Sequence, residues 1–166
     1  MGENRDEIMS LRPIKLSDID DFMAWASDAR VAHFCTWDSY TSRDEALNFL
    51  TNHAIPHPYY RAICVVGSIS VTPGPGGRAE LGYVVAFEHW GKGIATEAVR
   101  MVASTIFREW PLLRRLEAFV DADNGRSQKV LEKAGFVREG LLRKHAVVKG
   151  KSRDRVAFSL VSSIHS

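Results

Sequence analysis

Residues Trp90-Gly91-Lys92-Gly93-Ile94-Ala95-Thr96 set two glycines and a lysine between an apolar run, Leu81 to Ala86, and a helical pattern that continues to about Glu109. A strand, a glycine-rich turn and a helix N-terminus in that order make an anion site. The first N–H groups of a helix have no intrahelical acceptor, and the helix dipole adds about half a positive charge there. A ligand carrying a pyrophosphate suits such a turn. The turn is not a dinucleotide fingerprint, which needs a third glycine and an acidic residue about 20 positions on. It is not a Walker A loop either, because no Lys-Ser or Lys-Thr follows the second glycine. On spacing alone the signal is weak, and a tight structural turn is the open alternative.

A second constellation narrows the choice. Asp121-Ala122-Asp123-Asn124-Gly125-Arg126-Ser127 precedes Val130-Leu131-Glu132-Lys133-Ala134-Gly135-Phe136. Together with Glu80-Leu81-Gly82-Tyr83, the run from Trp90 to Ala98, Arg138-Glu139-Gly140-Leu141-Leu142-Arg143 and Asp154, these pieces make the chain resemble the GNAT N-acetyltransferases, in particular their RimJ/RimL-type branch. The resemblance covers nearly the whole chain, and several motifs in the right order are more specific than any one of them.

The resemblance implies acetyl-CoA as donor, held where the fourth and fifth strands splay apart. Pantetheine would pair with main-chain groups of Val84, Val85 and Ala86. The pyrophosphate would lie against the segment Trp90, Gly91, Lys92, Gly93, Ile94, Ala95 and Thr96, with glycine allowing close approach and Lys92 screening charge. Asn124 in such proteins reaches toward the pantetheine arm; as a residue type it is equally an N-cap or turn residue. Many members carry a Tyr that protonates the departing thiolate, and the corresponding position here is Leu131. Ser127 is then expected to hydrogen-bond the thiol sulfur, a positioning role more than acid catalysis.

The chemistry requires a neutral amine attacking a thioester carbon. At pH 7 an N-terminal amine with pKa near ~7.8 costs about 1 kcal/mol to deprotonate, and a lysine near ~10.4 costs roughly 4.6 kcal/mol. Glu80 is the candidate base, acting through water, with a solvated strand residue as the alternative. A main-chain N–H near Val85 is the candidate donor to the thioester carbonyl. No Cys or Ser sits in a nucleophile arrangement, so direct sequential transfer is expected. The acceptor expected from the resemblance is a protein or peptide N-terminal amine, with polyamines and other small amines, or a non-catalytic acyl-CoA sensor, as alternatives.

These residues need elements to position them. Strands are expected at Met9 to Ile14, Tyr60 to Val66, Gly67 to Thr72, Glu80 to Ala86, Arg115 to Val120, Phe136 to Leu142 and Arg153 to Val161. Helices are expected from an N-cap at Ser17 to Ala26, after a Ser42/Glu45 capping box and stopping before Pro56, from Gly93 to Glu109, and from Asn124 to Ala134 with Gly135 as a stop. Val65-Val66-Gly67 is poor hairpin chemistry, and a missing or shortened loop between the second and third strands is the favoured reading. The sum is an α/β (α+β) fold: one GNAT-like domain over residues 9–166 after a flexible stretch 1–8, with a mixed, mostly antiparallel sheet of about 6–7 strands and about four helices, and splayed central parallel strands.

Composition agrees. The 166 residues, 45% hydrophobic and 25% charged, suit one soluble globular domain. A net charge of +2 gives no support to a nucleic-acid partner, and no apolar run reaches the ~20 residues needed to cross a bilayer. Met1 to Ser10 is polar and acidic, unlike a signal or transit peptide. Cys35 and Cys64 have no metal or redox spacing and read as reduced thiols of a cytoplasmic or nuclear protein. His53 and His57 flank Pro56, so no metal is expected there. A monomer or weak homodimer is expected.

Overall fold

Among the described residues seven segments pair as strands: β1 (Leu11–Pro13), β2 (Tyr60–Ile63), β3 (Gly67–Pro73), β4 (Arg78–Val85), β5 (Arg115–Asp121), β6 (Val137–Val148) and β7 (Lys151–Val161). The structure, a computed structural model, describes residues 10–64 and 66–163. All seven strands join one sheet in the order β1-β2-β3-β4-β5-β7-β6. Every neighbouring pair is antiparallel except β4 and β5, which run parallel and are linked by a helical crossover. Among the described residues five α-helices flank the sheet: α1 (Ile19–Ala26), α2 (Ala29–Ala32), α3 (Arg43–Phe49, continued as a π-helical turn over Leu50–Ala54), α4 (Ile94–Glu109) and α5 (Gly125–Lys133).

Period-two alternation gives the sheet two apolar faces, and each buries its own cluster. On one face Ile69, Val71, Leu81, Val85, Leu116, Val156 and Phe158 pack with Val99, Val102 and Ile106 of α4 and Leu131 of α5. On the other, Ala62 and Ala86 pack with Phe22 and Trp25 of α1 and with Ala46 and Leu50. The expected architecture is present: one mixed, mostly antiparallel sheet with a parallel central pair. The helix count exceeds expectation by α2, a single turn too short to show a hydrophobic period.

Several boundaries differ for local reasons. Ser17 does not cap α1. The chain enters through a 3-10 turn, Leu16–Asp18, and Asp18 accepts from the Lys15 N–H at 2.8 Å and from the Arg12 guanidinium at 2.7 and 2.8 Å. Ser42 does cap α3, accepting from the Glu45 N–H at 3.1 Å. The expected shortened connection between β2 and β3 is present: Ile63 pairs directly with Gly67, and the Val66 N–H donates to the Ile63 carbonyl at 2.9 Å. β6 runs beyond Leu142 to Val148, because the register shifts between Leu142 and Ala146 and the extra residues break the alternation that marks a strand. The expectation for residues 1–8 lies outside the described residues.

Gly67 is required by the β2–β3–β4 contact. A Cβ there would stand 2.1 Å from the Val84 carbonyl oxygen and 3.0 Å from the Val85 Cα. Gly67→Ala must push β3 away from β4. A stability loss of about 1–3 kcal/mol is expected in urea denaturation, the range for overpacking a close-packed site. An unchanged midpoint would show that β3 yields freely there.

Candidate active site

The parallel pairing of β4 and β5 is short. It runs from Arg78↔Arg115 to Glu80↔Glu117 and then stops, although β4 continues to Val85 and β5 to Asp121. Beyond Glu80 the two strands part, and the main-chain groups on β4 that would have faced β5 are left to the gap. The β3–β4 ladder identifies them. The Ala86 N–H donates to the Val66 carbonyl at 2.7 Å, and the Gly74 N–H to the Arg78 carbonyl at 2.8 Å. Main-chain direction alternates along an antiparallel strand, so Gly82, Val84 and Ala86 turn theirs to β3, and Leu81, Tyr83 and Val85 turn theirs to the gap. Of Val84, Val85 and Ala86, only Val85 therefore offers main-chain groups there. Its carbonyl accepts from the Trp90 indole N–H at 2.8 Å, which makes Trp90 a prop for the end of β4.

The turn after β4 is built as the sequence suggests. Gly91 and Gly93 have φ of +74° and +78°, the left-handed region that side chains disfavour, and no protein atom lies within 4 Å of a Cβ at either. Glycine is here for the backbone conformation, and the turn's outer face is open. The first α4 bond is Glu97 N–H to the Gly93 carbonyl at 3.1 Å, so the N–H groups of Ile94, Ala95 and Thr96 precede the helical ladder. Lys92 is exposed beside them. Arg126, from the first turn of α5, stacks over the Trp90 ring at 4.9 Å. Both cations border the turn.

Across the gap, the β5–α5 loop is tied down. Asp121 is buried and accepts from the Arg153 guanidinium at 2.7 and 2.8 Å and from the Asp123 N–H at 2.9 Å. These bonds, Arg153 foremost, hold its carboxyl below the usual range against the opposing effect of burial. The Ala122 N–H donates to the Asp154 carbonyl at 3.0 Å, and the Asp154 carboxylate accepts from the Lys144 N–H at 2.7 Å. Asp154 thus anchors the β6 bulge to the same loop. Asn124 caps α5, its Oδ1 accepting from the Ser127 N–H at 3.2 Å.

Ser127 meets a residue whose role the sequence did not reveal. The Tyr83 hydroxyl lies 2.6 Å from Ser127 Oγ and 3.1 Å from the Ser127 carbonyl oxygen, linking β4 to α5 across the parted strands. Burial pushes the Tyr83 hydroxyl up to about 12, against a smaller lowering by the Ser127 bond. Leu131 is fully buried in the core, so its position is closed to the gap. The available signal was Tyr83's own type: Leu81 and Val85, its neighbours on that face, are core residues, and a buried phenol needs a hydrogen-bond partner.

The opposite face carries charge and aromatics. Glu80 and Glu117 are adjacent in the parallel register. Glu117 accepts from Arg115 at 2.7 Å, and Arg115 also pairs with Glu139. Arg115, and then Ser159 Oγ at 2.7 Å, hold the Glu139 carboxyl down at about 2. The exposed Glu80 carboxylate has no partner among the described residues. Trp37 stacks into the α1 cluster, 6.3 Å from Trp25, while His33 and Phe34 pair with each other at 4.6 Å. Lys149, at the β6–β7 tip, donates to the Ala32 carbonyl at 2.7 Å and closes that side over α2. Among the described residues no group of three or more His, Cys, Asp or Glu is placed to hold a metal, and no helix is long and apolar enough to cross a membrane.

The sequence that folds into this parted sheet matches a known family, described as Acetyltransferase (GNAT) domain, over residues 9–137. The chain belongs to the GNAT acetyltransferases. It is an acyl-CoA N-acyltransferase, and acetyl-CoA is its acyl donor. The chain is 30% identical to the uncharacterized N-acetyltransferase p20 of Bacillus licheniformis over 93% of each protein. Among solved structures it resembles a spermidine N-acetyltransferase from Vibrio cholerae in complex with CoA and spermine, with TM-score 0.76 and 21% identity over 93% of this chain and 95% of that one. It also resembles a ribosomal-protein-S5-alanine acetyltransferase from Vibrio fischeri, with TM-score 0.72 and 25% identity over 94% of both chains. The chain's own residues fit a coenzyme A thioester: open main-chain groups along the gap for an amide-bearing arm, and free N–H groups with Lys92 at a turn where nothing blocks a phosphate.

The Asp121–Arg153 pair holds the loop that carries Asn124 and Ser127, and its carboxylate is depressed in the folded state. Its contribution is present above the unfolded pKa near ~3.9 and is lost as pH falls through the lower folded value. Asp121→Asn is expected to lower stability by about 2 kcal/mol at pH 7, with the difference from wild type shrinking as pH falls through the folded value. Urea denaturation at stepped pH measures this, and a gap that stays constant with pH would exclude the ion pair as its source.

Proposed function

We propose that the protein transfers acetyl from acetyl-CoA to a protein or peptide N-terminal amine by direct attack, within the RimJ/RimL-type branch of the family. The observation that carries this reading is the parting of β4 and β5 with Glu80, an exposed and unpartnered carboxylate, at its start. Pantetheine lies in the gap against main-chain groups of Val85 and Tyr83. The pyrophosphate lies at Gly91 to Thr96, with Trp90 and Lys92 beside it, and Asn124 faces the arm while capping α5. Bound acetyl-CoA supplies an electrophilic thioester carbon.

Length along the strand refines the reacting end. Glu80 and Val85 are five residues apart, about 17 Å at roughly 3.4 Å per residue, too far for one water to join a base at the first to a carbonyl donor at the second. Ser127 stands against Tyr83, so the sulfur end of the donor belongs there, about 10 Å from Glu80. The Tyr83 N–H, two residues from Val85 and facing the gap, is then the donor to the thioester carbonyl. Glu80 takes the amine proton through water, and Ser127 donates a hydrogen bond to the departing sulfur.

The small deprotonation cost of an N-terminal amine, about 1 kcal/mol at pH 7, suits a base that works only through water. The likeness to the Vibrio fischeri enzyme supports the same acceptor. A polyamine acceptor is the second reading, favoured by the adjacent carboxylates of Glu80 and Glu117, which attract a cationic chain.

Acetyl-CoA is expected to raise the unfolding temperature, with about 2.7 kcal/mol of stabilisation at 100 times its Kd. Mass spectrometry of acetyl transfer to a mixed library of peptides and small amines should find N-terminal acetylation. Spermidine as the preferred acceptor would favour the second reading, and acetyl-CoA binding without transfer to any amine would indicate a sensor. Glu80→Gln should cut turnover by about 100-fold at pH 7, and by less at high pH where the amine is already neutral. Unchanged turnover removes Glu80 as base.

A further inference from the structure

Leu131 leaves the helix side of the gap without a phenol at the position where the family resemblance implies one, yet a phenol enters the gap from the strand side. Tyr83 sits on β4 among Leu81 and Val85, both buried, where phenylalanine would pack as well. Its hydroxyl reaches across the parted strands to Ser127 and to no other described residue. The pair is therefore the polar link between β4 and α5 at the level where the thioester sulfur belongs under the proposed function, on which this inference rests.

We propose that Tyr83 is a positioning residue that acts through Ser127, turning the Ser127 O–H toward the sulfur of coenzyme A as the thiolate leaves. The hydroxyl inventory permits it. Tyr83 has one O–H donor and two acceptors in range: the Ser127 carbonyl at 3.1 Å and Ser127 Oγ at 2.6 Å. With its proton on the carbonyl, Tyr83 accepts from the Ser127 hydroxyl. With its proton on Oγ, it frees the Ser127 proton to point at the ligand and strengthens it as a donor, because hydrogen bonds in a chain polarise one another. Tyr83 is satisfied in both arrangements, so the change needs only rotation of two hydroxyls.

The transfer balances without ionising either side chain. The amine nitrogen forms the new bond to the acyl carbon, and its surplus proton leaves through water to Glu80. The carbon–sulfur bond breaks with its electron pair on sulfur. The thiolate accepts the Ser127 hydrogen bond, held by Tyr83, until solvent protonates it. Burial raises Tyr83 far above a thiol of ordinary pKa near ~8.5, so a phenol that keeps its proton and lends a hydrogen bond fits better than one that gives its proton away.

The test uses coenzyme A itself as probe and needs no acceptor. The thiol of bound coenzyme A is titrated by thiolate absorbance, as a difference against the protein with desulfo-coenzyme A. Tyr83→Phe is expected to raise that thiol pKa by about one unit, a tenfold loss of thiolate stabilisation and the weight of one hydrogen bond to a charged acceptor. In a Ser127→Ala background the same change should have no effect. Tyr83→3-fluorotyrosine, a stronger donor, should lower the thiol pKa in the wild-type background. An equal rise in both backgrounds, or no rise in either, would overturn the inference, since a packing defect acts with or without the Ser127 hydroxyl. Absence of any thermal stabilisation by coenzyme A would overturn the donor site first, and this inference with it.

Discussion

Everything the site does depends on β4 and β5 pairing for three residues and then separating. A sheet that stops pairing exposes main-chain donors and acceptors, and exposed strand edges are ordinarily covered or blunted. Here the exposure lies in the middle of the sheet, where no solvent-facing loop can hide it. The gap therefore suits a ligand with its own amide groups, and under the proposed function a thioester along it has one end at Tyr83 and Ser127 and the other at the Gly91–Gly93 turn.

The separation is held by packing on each side. Val99, Val102 and Ile106 of α4 bind the helix to β4 and β5 together, while Leu131 of α5 fills the core beneath the gap. Trp90 caps the Val85 carbonyl and fixes where the turn leaves the strand. On the far side Asp121, Arg153 and Asp154 tie the β5–α5 loop to β7 and to the β6 bulge, so Asn124 and Ser127 stand on a rigid support. Arg100 bonds both Glu97 and the Lys133 carbonyl, at 2.7 and 3.0 Å, and joins the start of α4 to the end of α5. A site assembled from two helix N-termini needs such cross-ties, because neither helix alone sets the distance between them.

Charge is distributed to match. The turn carries Lys92 with Arg126 near it, while the opposite face carries Glu80, Glu117 and Glu139, the last two sharing the single charge of Arg115. An anionic donor and an amine acceptor thus meet fields of opposite sign on the two sides of one sheet. Glu80 is the carboxylate left unpaired among the described residues, as the proposed base requires.

The chain's local patterns were enough to locate most of this. The helical period from Ala95 to Phe107, the two glycines, the Asn124 cap and the Gly135 stop are short-range signals, and each element stands where they put it. The failures were also local: an N-cap at Ser17 lost to the Asp18–Arg12 pair, and a strand obscured by the bulge after Leu142. Tyr83 was different. Its neighbours in sequence mark it as core, and its partner Ser127 is 44 positions away on another element. Sequence determined the elements and the chemistry available to them, because propensity, capping and periodicity act within a turn or two. Which hydroxyl faces which, which of Val84, Val85 and Ala86 turns to the gap, and which carboxylate is left unpaired were decided by register and packing, because those distances exist only once the sheet has formed and come apart.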